Sequence, residues 1–174
     1  MARLGVRFSG DRSGATAVEF ALVAGPLILM LFAIMELALV FIVSSTLDSA
    51  TADVARTIRT GAVQKDGGGS ADKIRTDICG KISWLPEATC EANLSVDVRT
   101  FSQFTDITAP DPVKQGKFDK SQLLYSPGKQ GDVVLVRAFY RWKLLTPALL
   151  GGLQRLDDGS TVMTAATTFR NEPY

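Results

Sequence analysis

Two carboxylates, Glu19 and Glu36, interrupt a stretch that is otherwise almost entirely apolar from Ala15 to Val43. A carboxylate in such surroundings is costly unless something meets it, so each is a candidate functional group. They lie 17 residues apart, about 26 Å along a helix, too far to serve one site on it. Glu19 has a plainer reading as a solvated charge at a helix start, where the macrodipole favours it. Glu36 reads equally as a side chain reaching the outer interface or as a contact with a partner subunit. Cys79 and Cys90 are the other pair with chemistry, 11 positions apart. Outside the cytoplasm they are a candidate disulfide, with two buried thiols as the alternative.

Composition narrows the remaining chemistry. The 174 residues include no His, which removes the usual general base and with it any Ser-His-Asp or Cys-His machinery. Two Cys without His are too few soft ligands for a structural zinc site. No Gly-x-Ser-x-Gly elbow is present. The glycine run Asp66–Ser70 lacks the Lys-Ser/Thr of a phosphate loop and reads as a linker. Nineteen Lys and Arg against 18 Asp and Glu give a net charge of +1, without the basic surplus that nucleic acid demands. The expectation is a non-enzyme with no cofactor, no metal, no nucleic acid and no small-molecule substrate.

The elements that position these groups begin with a membrane segment. Residues 1–14 carry Arg3, Arg7 and Arg12 against Asp11, three charges against one and a net +2. Phe20–Met35 holds no charge. As a helix Phe20–Val43 is about 36 Å long, enough to cross a hydrocarbon core of about 30 Å. A cleaved secretory signal fits poorly, because this core far exceeds the usual length of about 7–15 residues. The leader arginines favour a cytoplasmic N-terminus, which leaves the rest of this single-pass chain outside. Leu47, Val54 and Ile58, with Ala50 between them, mark an apolar side that carries the helix on to about Thr60, where Gly61 is a plausible stop. Pro26 should kink it.

Beyond the helix the period changes twice. Ile74, Ile78, Ile82 and Leu85 predict an amphipathic helix stopped by Pro86. Ala92, Leu94, Val96 and Val98 alternate with Asn93, Ser95, Asp97 and Arg99, which predicts a half-buried strand. Phe101–Lys129 reads as a long loop region. Val133–Leu144 is the strongest strand, with Arg137, Arg141 and Lys143 on a solvated face, and Thr161–Phe169 is the last. The fold class expected is α+β: a long N-terminal transmembrane pilin-like helix running into a small ectodomain with an antiparallel sheet. The divisions are a basic leader over 1–14, a long helix over 15–60 (transmembrane over 20–43, amphipathic over 44–60), a linker over 61–70, and an extracytoplasmic domain over 71–174.

The residues around Glu19 read Arg12-Ser13-Gly14-Ala15-Thr16-Ala17-Val18-Glu19-Phe20. This resembles a type IV-type prepilin signal: a basic leader, a Gly, a small residue, and a Glu five positions after the Gly. The longer run Gly14–Asp48, with Pro26 and Glu36 inside it, looks like the TadE-like pseudopilins of the tight-adherence (Flp pilus) system. Phe20 stands where major Flp pilins usually have Tyr, which favours a minor pseudopilin. The C-terminal segment Thr168-Phe169-Arg170-Asn171-Glu172-Pro173-Tyr174 is similar to the ending of many such proteins. The resemblance implies a prepilin peptidase cut between Gly14 and Ala15, and a role for Glu19 in processing or assembly. It also implies as partners other Tad pilins and pseudopilins and an inner-membrane pilus assembly platform. The protein would then sit in a bacterial inner membrane with its C-terminal domain periplasmic, and serve pili used in tight adherence and secretion. An unprocessed membrane-anchored binding or adhesin module is the rival reading.

Overall fold

A computed structural model of the chain describes residues 14–146 and 150–174. The leader arginines Arg3, Arg7 and Arg12 therefore lie outside the described residues. Helix α1 runs Ala15–Arg59 without a break, 45 residues including Pro26, or about 68 Å at the usual rise. Good helix formers fill it, and the hydroxyls of Thr46, Ser49 and Thr57 bond back to carbonyls three or four residues earlier instead of competing with the ladder. Arg56 and Arg59 occupy its last turn, where cations suit the dipole. Gly61 ends it in the left-handed region, with φ +77°.

Three shorter helices follow: α2 (Ala62–Lys65), α3 (Ala71–Lys81) and α4 (Glu87–Asn93). Ser70 caps α3 by accepting the Lys73 N–H at 3.1 Å. Ile74, Ile78 and Ile82 are buried as their spacing predicts, but α3 ends before Leu85. The proline that was to stop one helix starts another, because the Pro86 carbonyl accepts the Cys90 N–H at 3.0 Å. Ala92 and Asn93 consequently finish α4, and the strand expected from Ala92 begins two residues later. Cys79 and Cys90 form a disulfide that ties α3 to α4.

The strands are β1 (Leu94–Phe101), β2 (Val113–Lys114), β3 (Lys117–Phe118), β4 (Val133–Lys143) and β5 (Ser160–Arg170). An antiparallel sheet has the order β1-β4-β5, with β4 central. Its register opposes Val96 to Ala138 and Ala138 to Ala165, so these residues share one face. That face meets α1 and α3 in the main core, where Val43, Leu47, Ala50, Val54 and Ile58 of α1 pack with Ile74 and Ile78 of α3. The arrangement is α+β, a long apolar helix followed by a small antiparallel sheet domain.

The other sheet face is covered as well, contrary to the expectation of a solvated face. Residues 102–132 fold over it rather than forming an open loop. The β2–β3 hairpin sets the Phe118 ring 5.7 Å from that of Phe139, and Val98 exchanges backbone hydrogen bonds with Leu124 and Ser126 at 2.8 Å. Under this cover Asp97 is wholly buried. Its carboxylate accepts from Arg99 Nε at 2.9 Å, from Arg137 Nη2 at 2.7 Å, and from the Leu124 N–H at 2.7 Å. Arg137 also donates to the Pro110 carbonyl at 3.0 Å, and Arg99 to that of Gln122. Arg137 is therefore a partly buried structural cation, whereas Arg141 and Lys143 remain exposed. Strict alternation placed Asp97 and Arg137 correctly on the same face and misjudged what lies over it.

Removing one member of a buried ionic group strands the others. Asp97→Asn is expected to lower folding stability by about 3–5 kcal/mol. Denaturant unfolding of the detergent-solubilised protein measures this, and a loss below 1 kcal/mol would show that the two arginines find other partners.

Candidate functional site

The two halves of α1 face different surroundings. No residue from Ala15 to Met35 is buried, although most are large and apolar. From Val43 onward one stripe is sealed in the core. Helix α1 is long and apolar enough to cross a membrane, with a mean hydropathy of 2.8 over its best 18-residue window. Such a continuous apolar surface needs a cover that the described chain does not supply, either lipid or other helices. Glu19 and Phe20 lie on this uncovered half, one turn from its start, and Phe20 is 74% exposed. The Gly14 carbonyl accepts the first helical hydrogen bond, from the Val18 N–H at 3.2 Å. Both Gly14 and Ala15 are exposed. Pro26, also exposed, withholds the N–H that the Leu22 carbonyl would otherwise receive.

Glu36 differs from Glu19 in every respect. It is buried, and its partners come from the chain that follows β4. One carboxylate oxygen accepts the Leu145 N–H; the other accepts the Thr146 N–H at 2.7 Å and the Thr146 hydroxyl. Three donors and no acceptor converge on it, an arrangement that compensates a carboxylate for lost water. Neither of the two expected readings, an interfacial side chain or an inter-subunit contact, describes this. Glu36 is a clasp within the chain, fastening the ectodomain to α1 some way down its apolar surface.

The C-terminal segment fastens the other end. Asn171 is buried and donates through Nδ2 to the carbonyls of Pro127 and Lys129 at 2.9 and 3.0 Å. The Glu172 N–H donates to the Arg59 carbonyl at 2.9 Å, satisfying a group that the end of α1 leaves open. Glu172 also pairs with Arg59 at 3.1 Å, but both side chains are about half exposed and the pair adds little. Arg170 donates to the Gly131 carbonyl at 2.8 Å and stacks over Phe104. Past Pro173, Tyr174 lies against Gly61 so closely that a β-carbon there would fall 2.1 Å from its ring. Gly61 thus serves two needs, a left-handed backbone and room for an aromatic ring.

Among the described residues no three His, Cys, Asp or Glu side chains gather where they could hold a metal. The resolved pKa shifts lie in the ectodomain and lead away from neutrality. Burial raises the Tyr125 and Tyr140 hydroxyls, while hydrogen bonds from Ser121 and Ser160 lower Asp119 and Asp158 respectively. The structure brings Glu36 together with Leu145 and Thr146, and the C-terminal residues with Gly61 and Arg59. It brings Glu19 together with none of them. Thr146, Gly61, Tyr174 and Asp97 were missed as positioning residues. Gly61 carried a signal as a helix stop, and Tyr174 as part of the family-like ending.

The sequence model of the TadE-like protein family matches residues 14–56, which is α1 with the preceding glycine and without its last turn. The match ends before the ectodomain proper. No curated protein and no solved structure matches the chain.

Glu36→Ala leaves the Leu145 and Thr146 amides without an acceptor. Each unsatisfied buried donor costs about 1–3 kcal/mol, so a loss of about 3 kcal/mol is expected. Proteolysis between Leu144 and Arg155 should accelerate in step. A variant cleaved there at the parent rate would show that the clasp does not hold this segment.

Proposed function

We propose that this chain, TadE-like over residues 14–56, is a minor pseudopilin of a tight-adherence (Flp, type IVb-type) pilus system. Its work is association rather than catalysis. The observation that supports this best is the split of α1 into an uncovered apolar half, which begins where the family match begins, and a half sealed into its own domain. A binding module on a simple anchor needs a span, but not a carboxylate one turn inside it.

In this reading the leader lies in the cytoplasm, Phe20–Val43 spans the inner membrane, and the sheet domain is periplasmic. A prepilin peptidase hydrolyses the Gly14–Ala15 peptide bond. The exposure of both residues suits access, and the missing β-carbon of Gly14 allows a close approach of the peptide to the peptidase backbone. The cut removes the carbonyl that accepts the Val18 N–H and leaves an ammonium on Ala15, whose reference pKa is about 7.7–8.0. A positive charge at a helix N-terminus opposes the dipole. Glu19, one turn on and exposed, neutralises it, either within the subunit or by reaching the ammonium of a neighbouring helix. The second pairing sets an axial step between subunits, and pilins and pseudopilins of the same system supply the neighbours at the assembly platform.

Glu19→Gln separates the two steps. Cleavage should proceed, seen by intact mass as loss of residues 1–14, while cross-linking between mature subunits weakens. Stranding one charge of a desolvated pair corresponds to about 3 kcal/mol of association. An uncut chain in cells with an active peptidase would favour the unprocessed anchor. Normal cross-linking and piliation in the Gln variant would reduce Glu19 to a helix-start carboxylate.

A further inference from the structure

The connection between β4 and β5 has the composition of a membrane-seeking segment. No charged residue occurs between Lys143 and Arg155, and five leucines fall in the run. Leu144 is buried against the domain, but Leu145 is 70% exposed and Leu153 37%. Scattered exposed leucines are ordinary. The height at which these are held is not. The Glu36 clasp fixes Leu145 and Thr146 at the level of residue 36 on α1. On the ectodomain side of that level α1 still exposes Leu37, Phe41 and Ile42. Ile42 lies six positions after Glu36, about 9 Å along the helix. The start of the β4–β5 connection therefore lies alongside the uncovered apolar band of α1, not beyond its end.

Part of its described backbone is prepared for such a place. In hydrocarbon every peptide N–H needs an internal acceptor. The Leu145 and Thr146 amides go to Glu36, the Leu150 amide to the Thr146 carbonyl at 3.1 Å, that of Leu153 to the Leu150 carbonyl at 2.8 Å, and that of Gln154 to the Gly151 carbonyl at 3.2 Å. The charged residues that bound the run are both cationic, which suits the headgroup level. Lys143 is exposed; Arg155 also pairs with Asp111 at 2.8 Å.

We propose that Leu145 and Leu153, on either side of residues 147–149, make a second, monotopic contact with the outer leaflet of the bilayer, Leu145 beside α1 at a depth fixed by Glu36. The inference rests on α1 crossing the membrane. A lipid surface is favoured over a neighbouring protein because Leu145 is held beside the exposed apolar band of α1.

The full-length chain in phosphatidylcholine–phosphatidylglycerol vesicles, at low protein-to-lipid ratio, provides the test. Single cysteines replace Leu145, Leu153, Phe32 or Ala52 and are labelled with an environment-sensitive fluorophore under non-reducing conditions, leaving Cys79–Cys90 intact. Lipids carrying a nitroxide near the headgroup or near the acyl-chain end then quench by contact. Emission from the Leu145→Cys and Leu153→Cys labels should fall about twofold with the shallow nitroxide and less with the deep one, as for an interfacial element. Phe32→Cys should respond to the deep nitroxide and Ala52→Cys to neither. Quenching at Phe32 with none at Leu145 and Leu153 overturns the proposal and leaves the membrane span standing. No quenching at Phe32 overturns the span itself. Blue-shifted but unquenched labels at Leu145 and Leu153 would mean that protein covers the patch, which also overturns it. Should Leu145→Cys lose the native disulfide, Leu153→Cys carries the result.

Discussion

One helix has to serve two surroundings, and the rest of the molecule is arranged around that constraint. The apolar face of a three-stranded sheet has to be buried against another element. Here the cover is the second half of α1, whose buried residues recur at spacings of four, three, four and four from Val43 to Ile58. Each large aliphatic side chain sealed there contributes about 1.5–3 kcal/mol by area removed from water. The ectodomain therefore cannot be separated from the helix that bears the membrane-seeking half, and α1 is as much core as anchor.

An apolar stripe repeated every turn does not by itself choose a register. Shifted by one turn, Val43, Leu47, Ala50 and Val54 would meet much the same sheet. Directional polar contacts remove that ambiguity. At one end the carboxylate of Glu36 takes donors from the residues leaving β4. At the other, the residues leaving β5 close on Arg59 and Gly61. The two strands that pair over eleven positions are thus each tied to α1 just beyond one end. Slipping the helix by a turn would break both ties at once, at the cost of several unsatisfied groups.

Periodicity made α1, the isoleucine face of α3 and the alternation of β1 and β4 legible in the sequence, because each buries one face against the same core. What it could not show was anything set by contact between distant segments. Asp97 stood among Asn93, Ser95 and Arg99 as one polar residue in an alternating strand, and only the return of residues 102–132 over that face makes it buried. Pro86 looked like a stop because the strand pattern begins soon after it, yet a seven-residue helix fits between them. Glu36 was conspicuous by its setting, but its donors lie more than a hundred residues away in a segment of leucines. The motif around Gly14 and Glu19 needed no structure to be seen, and none of the described hydrogen bonds or ion pairs ties it to the ectodomain.

That contrast between the two glutamates follows from where each can find a partner. Glu36 is met within its own chain and contributes to the rigidity of the subunit. Among the described residues Glu19 has no such provision, so compensation for its charge has to arrive with lipid headgroups, with the nearby N-terminus, or with another helix. Because the ectodomain is fastened at residue 36 and again at residue 59, it cannot pivot about the helix near the membrane surface. Whatever rotation and height α1 adopts among neighbouring helices is imposed on the sheet domain as a rigid body. A contact made near residue 19 can in this way bear on which ectodomain faces meet, about 60 Å further along one continuous helix.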